Sequence, residues 1–159
     1  MKANNLHEKS QSAYRRYHST ETALIKVCND ILLALDQGLV VVLVMLDLSA
    51  AFDTIDHNIL LSRFKNTFGI NGTALQWFTS YLTDRHQTVC IEDQRSSPVN
   101  LVYGVPQGSV LGPKEYTMYT KPLGKIIESH GLQYHLYADD SQSYFAFRPT
   151  DSMTAEVLT

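Results

Sequence analysis

Two adjacent carboxylates near the end of the chain, Asp139 and Asp140, are the residues best placed to do chemistry. Apolar residues 135–138 precede them and residues 144–147 follow, so the pattern predicts a β-hairpin with acids at its tip. A carboxylate pair on a rigid turn suits Mg²⁺, which binds one or two carboxylates plus substrate phosphates. The alternative is a plain turn, because aspartate side chains readily bond nearby backbone N–H groups.

A third carboxylate, Asp47, directly follows an unbroken apolar run over residues 39–46. A run of this length predicts a strand that is buried on both faces, and it is too short to span a membrane. Asp47 either joins the aspartate pair at a metal site or caps the short segment that follows it. Three converging carboxylates can hold two metal ions roughly 3.5–4 Å apart, an arrangement that serves phosphoryl or nucleotidyl transfer.

Residues 104–113 form a loop with three glycines and two prolines ahead of a predicted helix. Glycine lets the backbone approach a ligand closely, and a helix N-terminus favours phosphate. Gln107 would then lie near an incoming nucleotide or the templating base, whereas the alternative is a plain connector between a strand and a helix. The glycine spacing does not fit a Walker-type phosphate loop or a dinucleotide fingerprint.

The hydrophobic pattern predicts that helices and strands position these groups together. We expect an α+β fold in which helices pack on one face of a small, mostly antiparallel sheet. The expected elements of the first half are a helix over 21–36 that Ser19 or Thr20 caps and Gly38 ends, strand 39–47, a helix over 56–67 and a helix capped by Asn71. The second half is expected to hold strands 87–92 and 99–103, a helix over 113–129 that Pro122 and Gly124 kink or break, the hairpin, and a helix that begins at 151.

Composition limits the classes to which the chain can belong. Its 159 residues, 44% apolar and 18% charged, predict one globular domain. The net charge of −3 is a poor profile for a free-standing nucleic-acid binder, which relies on basic groups. Cys28 and Cys90 are expected to be buried free thiols in a reducing compartment. The N-terminus lacks the apolar core of a signal peptide, and the histidines lack zinc-ligand spacing.

Taken together, residues 46–57, 104–113 and 137–140 resemble, in order and spacing, three motifs of the reverse transcriptases of non-LTR (LINE-type) retrotransposons. Residues 11–24 resemble the lead-in from fingers to palm in the same family, so the resemblance covers nearly the whole chain. It implies a right-hand polymerase fold that is mostly palm, with incomplete fingers and thumb. The implied divisions are a lead-in over 1–38, a palm over 39–148 and the start of a truncated palm helix over 149–159.

The resemblance also implies a function, which is RNA-directed DNA polymerase activity with two-metal nucleotidyl transfer to a primer 3′-OH. The implied cofactors are two Mg²⁺ ions, for which Mn²⁺ can substitute. The implied partners are an RNA template, a DNA primer and dNTPs, with no membrane or protein partner, in the cytoplasm and the nucleus. The implied site consists of the carboxylates Asp47, Asp139 and Asp140, the backbone carbonyl of Leu48 as a metal ligand, Phe52 under the sugar, Gln107 and Gly108 at the nucleotide and template pocket, and Tyr137 and Ala138 near the primer end.

Nearby polar residues have a structural interpretation. Asp56 is predicted to be a helix N-cap, Asp53 to lie in a tight turn and His57 to be structural. Lys114 and Glu115 stand where the family usually has an apolar pair, which predicts a local lesion or a shifted helix register. Compared with the family, the chain starts after the basic fingers segment and stops before the thumb. An inactive, truncated transposon remnant or a nucleic-acid interaction module is therefore the alternative.

Overall fold

The computed structural model describes residues 6–149 and contains five helices and seven strands within that range. In chain order they are α1 Thr20–Asp36, β1 Val40–Asp47, α2 His57–Asn66, α3 Gly72–Leu82, β2 Arg85–Gln87, β3 Cys90–Ile91, β4 Gln94–Arg95, β5 Val99–Leu101, α4 Gly112–Tyr119, α5 Lys121–Ser129, β6 Gln133–Tyr137 and β7 Asp140–Phe147. The mixed α+β character is as expected. The helix expected from residue 151 lies outside the described residues.

The chain divides into two compact units. Among the described residues, the sheet unit comprises 8–49 and 121–149, and the helical unit comprises 6–7 and 50–120. Each unit is assembled from two stretches that are distant in sequence. The carboxylates Asp47, Asp139 and Asp140 therefore belong to one unit, the sheet unit, although more than ninety residues separate Asp47 from the adjacent pair.

The sheet of the sheet unit has three antiparallel strands in the order β1-β7-β6. Helix α1 packs against β1 and β6, and α5 packs against β6. A small core forms where Ile127 of α5 meets Tyr134 and Leu136 of β6. The predicted antiparallel hairpin is confirmed by the β6–β7 pairing.

Helix α1 begins and ends where the sequence predicts. The Ser19 side chain accepts from the Thr22 backbone N–H, and the Thr22 hydroxyl bonds the Ser19 backbone in return, which forms a capping box. At the other end Gly38 has a φ of +74°, the left-handed conformation that glycine adopts freely. Ala23 and Val27 are the buried residues of α1, and many of the other apolar side chains of this helix are exposed.

Strand β1 has the predicted position but not the predicted burial. We expected both faces to be buried, whereas the strand is exposed from Leu43 to Asp47 and Met45 is 71% exposed. The physical reason is that β1 lies at the edge of the sheet that residues 6–149 form, with β7 as its one strand neighbour there. Within residues 6–149 no element covers the C-terminal half of β1. This half is therefore an apolar surface of the kind that marks interaction sites.

The core of the helical unit lies between α2, α3 and α4. Ile55, Leu60, Phe64 and Leu82 are fully buried in it, and Tyr116 of α4 joins them. The predicted single strand over 87–92 is wrong, because a turn at Glu92 and Asp93 folds β3 onto β4 while β2 pairs with β5.

The long helix predicted over 113–129 is two helices, α4 and α5. The break falls at Thr120, two residues before Pro122, because a proline ring lacks an N–H and clashes with the preceding turn.

Cys28 and Cys90 are free, as expected, but both are exposed and not buried, so the prediction of burial is wrong. No helix in the described range is both long and apolar enough to cross a membrane.

Candidate active site

An acidic edge forms where β1 ends and β7 begins. The β1–β7 register places Asp47 directly opposite Asp140, and residues opposite each other in an antiparallel pair project to the same face. Asp139 lies in the two-residue connection between β6 and β7. The strand pairing thus brings Asp47, Asp139 and Asp140 to one end of one sheet. These three carboxylates form the acidic edge.

The donor set at this edge fits a divalent cation in its chemistry. Within residues 6–149 no three Asp, Glu, His or Cys side chains are arranged to hold a metal ion. Mg²⁺, however, is usually bound by one or two carboxylates, with water and substrate phosphates supplying its other oxygens. Asp47 at the end of β1 and Asp139 in the hairpin turn are carboxylates of this kind, and Leu48, which follows β1 directly, carries a peptide carbonyl next to Asp47 in the chain.

The turn before Asp139 has an unusual backbone. Ala138 has a φ of +55°, a region that non-glycine residues rarely occupy. The buried side chain of Gln11 hydrogen-bonds both peptide groups of Ala138. Gln11 was not predicted as a site residue, because residues 1–18 lack periodicity, and its one available signal was its place in the lead-in motif over 11–24.

A tyrosine stands close to this turn. The pKa of Tyr14 is raised by partial burial, and the negative charge of Asp139 raises it further. The phenol therefore keeps its proton at neutral pH and remains a neutral hydrogen-bond donor beside the acidic edge. Tyr14 also has a positive φ, +58°, so the sheet unit holds two strained residues next to its acids.

The glycine-rich loop, residues 104–113, packs tightly against residues 52–55 inside the helical unit. Gly104 N–H donates to the Ile55 carbonyl at 2.8 Å, and Val105 N–H donates to the Phe52 carbonyl at 2.9 Å. Gly104 has a φ of +87°, and a Cβ there would lie 3.1 Å from the Asp53 backbone. Glycine is required at this position because two backbones meet there.

The side chain of Gln107 makes an unexpected pairing. Its Nε2 donates to both carboxylate oxygens of Asp53, at 2.9 and 3.0 Å. The turn predicted at Asp53 is confirmed by its N–H bond to the Ala50 carbonyl, but its carboxylate also holds the loop. Beside this pair is a cavity of about 440 Å³ lined by Asp53, Arg85, Gln87, Leu101, Tyr103, Gly104, Val105, Pro106 and Gln107.

Phe52 is half-buried and packs against the core of the helical unit. Its ring stacks on Tyr116 with centroids 5.2 Å apart and an interplanar angle of 30°. Phe52 is therefore part of the packing around this core. Its role beneath a sugar stays a prediction.

The neighbouring polar residues have the structural roles expected of them. Asp56 Oδ1 accepts from the Ile59 N–H at 2.9 Å and caps α2. His57 is buried, and its Nε2 lies 2.7 Å from the Gly104 carbonyl, a geometry in which the ring nitrogen carries the proton and donates. His57 therefore fastens the start of α2 to the glycine-rich loop.

Glu115 occupies a position at which the sequence departs from the family that it resembles. Helix α4 buries Glu115 to 1% exposure and leaves Lys114 exposed. Within the described residues neither carboxyl oxygen has a hydrogen-bond partner. Burial raises the pKa of this carboxyl to about 7, and the positive charge of Arg85 opposes the shift only in part.

Comparisons with known proteins identify the family of this chain. Residues 1–153 match the family described as "Reverse transcriptase (RNA-dependent DNA polymerase)". Similar curated proteins of Drosophila melanogaster include the "Probable RNA-directed DNA polymerase from transposon BS", 35% identical over 71% of this chain, and the "RNA-directed DNA polymerase from mobile element jockey", 32% identical over 84%. The "Probable RNA-directed DNA polymerase from transposon X-element" is 34% identical over 76%.

The chain corresponds to a small part of each of these relatives, between 12% and 15% of their length. Among solved structures, a chain of the "Partial Cas6-RT-Cas1--Cas2 complex" aligns over 82% of this chain and 21% of its own length, at 25% identity and a TM-score of 0.41. The family match extends over nearly the whole chain, and the chain therefore belongs to the reverse transcriptase (RNA-dependent DNA polymerase) family, as a member of its LINE-type, non-LTR retrotransposon group.

Proposed function

We propose that this chain is the catalytic core of an RNA-directed DNA polymerase that adds deoxynucleotides to a primer 3′-OH. The observation that carries the proposal is the β1–β7 register, which pairs Asp47 with Asp140 and sets Asp139 in the adjoining turn. Family membership supports the reaction class. The chemistry needs oxygen ligands on a rigid support, and the sheet edge provides them.

We assign Asp47 and Asp139 as the carboxylates that hold two Mg²⁺ ions, with Asp140 beside them and the Leu48 carbonyl as a further ligand. When bound, such ions offset the charge that develops on the transferring phosphoryl group and favour the deprotonated primer hydroxyl. Mn²⁺ can take the same oxygen ligands. The role of the protein itself is to hold these oxygens in place before substrate arrives, since positioning is a large part of phosphoryl-transfer catalysis.

The remaining site residues are assigned to substrate binding. We assign Gln107 and Gly108 to the nucleotide and template pocket, and Gln107 lines the 440 Å³ cavity of the helical unit. The Gln107–Asp53 pair fixes the amide that would face a base. Tyr137 and Ala138 support the primer end. The proposed partners are an RNA template, a DNA primer and dNTPs, and the proposed locations are the cytoplasm and the nucleus.

The alternative, a catalytically inactive remnant, is favoured by one observation. Glu115 is a buried carboxylate without a hydrogen-bond partner among residues 6–149, and such a group destabilises a fold. The three carboxylates at the acidic edge argue against it, because nothing in sheet stability requires acids opposite each other on neighbouring strands.

Primer extension with and without divalent metal tests the proposal. We expect the purified chain to extend a DNA primer on an RNA template with dNTPs and Mg²⁺, and we expect excess EDTA to abolish extension. Restored Mg²⁺ should recover it, while Ca²⁺ in its place should not, because Ca²⁺ takes longer bonds and looser geometry. A soluble, folded chain that extends no primer would contradict polymerase activity and favour the inactive alternative.

Replacement of Phe52 tests sugar selection. A bulky ring under the sugar clashes with a ribose 2′-OH, so we expect Phe52→Ala to lower the preference for dNTPs over rNTPs by at least about tenfold. The measurement is the ratio of kcat/KM for a dNTP and its matching rNTP.

The control for Phe52→Ala is Phe68→Ala, which removes a ring packed on the same core. It matches the loss of packing and should leave the dNTP to rNTP ratio unchanged. Equal ratios in the parent and Phe52→Ala would remove the sugar-gating role and leave Phe52 as a core residue alone.

A further inference from the structure

A short segment at the start of the sheet unit runs alongside β6. Ser12 N–H donates to the Leu136 carbonyl at 2.9 Å, and Leu136 N–H donates to the Ser10 carbonyl at 2.8 Å. Gln11 thereby forms a parallel bridge with Leu136. On the next residue, the Ser12 hydroxyl lies 2.9 Å from His135 Nε2. The segment is thus held to the hairpin strand by backbone and side-chain bonds together.

The side chain of Gln11 reaches from this segment to the hairpin turn. Gln11 is 4% exposed, and its amide uses both of its ends. Its Nε2 donates to the Ala138 carbonyl at 3.3 Å, and its Oε1 accepts from the Ala138 N–H at 3.1 Å. The same Oε1 accepts from the Ala13 N–H at 2.9 Å. One buried amide therefore satisfies the N–H and the C=O of a single turn residue.

The turn residue needs such support. Ala138 has a φ of +55°, which is unfavourable for a residue with a Cβ and persists only where the surroundings determine it. An amide is the natural side chain for this task, because it carries a donor and an acceptor side by side. Asp139 follows immediately, so the peptide plane that Gln11 holds is the one that sets the direction of Asp139.

We propose that Gln11 is a positioning residue: it fixes the backbone of Ala138 and thereby the placement of the Asp139 carboxylate. Its effect on catalysis rests on the proposed polymerase function, whereas its effect on the turn does not. Gln11 touches neither substrate nor metal in this assignment. It acts through the turn, and its removal should misplace Asp139 without unfolding the sheet.

The test uses two variants of Gln11 and one control. Gln11→Met keeps the length of the side chain and removes every hydrogen bond of the side-chain amide, while Gln11→Glu keeps the acceptor for the Ala138 N–H and loses the donor to its carbonyl. The control, Gln133→Met, makes the same change at an exposed position of β6. Amide hydrogen exchange, read residue by residue by NMR in the metal-free chain, reports on the turn, and steady-state primer extension reports on catalysis.

We expect Gln11→Met to speed exchange of the Ala138 amide at least about tenfold while the Leu136 amide, bonded to Ser10, stays protected. Gln11→Glu should keep more of the Ala138 protection than Gln11→Met does. We also expect Gln11→Met to lower kcat at least about tenfold with little change in the KM for dNTP, since misplacement of a catalytic group impairs chemistry rather than binding. The control should match the parent in exchange and in kcat.

Three results would overturn the inference: unchanged Ala138 exchange in Gln11→Met, simultaneous loss of protection at Ala138 and Leu136, or a kcat equal to that of the parent. Failure of the proposed function gives a different result, in which the parent itself extends no primer. In that case the exchange data still decide whether Gln11 fixes the turn, and the catalytic consequence falls with the function.

Discussion

Asp139→Asn is expected to lower the rate of primer extension by about 10³-fold or more, because a neutral amide cannot offset charge on a bound cation or hold it as a carboxylate does. Asparagine is close in size to aspartate and equally at home in turns, so the β6–β7 hairpin should persist. The measurement is the single-turnover extension rate at saturating template-primer and dNTP, with circular dichroism to verify the fold.

Three further variants make this result specific. Asp93→Asn makes the same change in the turn between β3 and β4 and should extend primers as the parent does. Asp47→Asn should match Asp139→Asn, and the double variant should be little slower than either, because residues that act as one unit are not additive. If Asp139→Asn extends primers within about tenfold of the parent, Asp139 is not a catalytic carboxylate.

The local elements of the fold could be predicted because their signals are local. Ser19, Gly38 and Asp56 mark helix ends through bonds to residues three or four positions away, and each mark is confirmed. The burial of β1 could not be predicted, because it depends on which strands and helices cover the sheet. An unbroken apolar run is typical of a central strand, yet β1 lies at the edge of the described sheet.

The candidate site, like the fold, was predictable only where its signals are local. The aspartates could be located because each ends or turns a strand, and the motif order supplied their relation. The Gln11–Ala138 and Gln107–Asp53 hydrogen bonds could not be, since they join residues far apart in sequence through polar side chains that have no periodicity. The departure at Glu115 was visible as two charges in a helix expected to pack, but only the structure distinguishes the buried Glu115 from the exposed Lys114.

Glu115→Leu is expected to stabilise the chain by about 2–3 kcal/mol at pH 8, because it replaces a buried ionised carboxylate that lacks a partner with an apolar side chain of similar volume. The surroundings suit leucine: beside Glu115 is an apolar cavity of about 220 Å³, lined by Leu6, Phe64, Phe68, Ile70, Phe78, Leu111, Lys114, Glu115 and Met118. The measurement is the free energy of unfolding from urea titrations of both proteins.

The gain should depend on pH in a defined direction. The folded-state pKa of Glu115 is about 7 against an ordinary value of 4.5, so the folded chain binds more protons than the unfolded chain between these values. The parent should therefore lose stability as pH rises from 4.5 to 7, by about 3 kcal/mol at most, and lose little more from this group above pH 7. The advantage of Glu115→Leu should accordingly be small at pH 5 and close to its full size at pH 8.

Glu115→Gln separates charge from polarity. It removes the titrating group and keeps a buried polar one, so its unfolding free energy should lose the pH dependence that Glu115 causes while its stability stays below that of Glu115→Leu. Glu92→Leu, which changes an exposed turn glutamate, is the matched control and should leave the pH profile intact. A Glu115→Leu advantage of equal size at pH 5 and pH 8 would mean that the carboxyl is not held neutral in the fold, and that packing alone accounts for the gain.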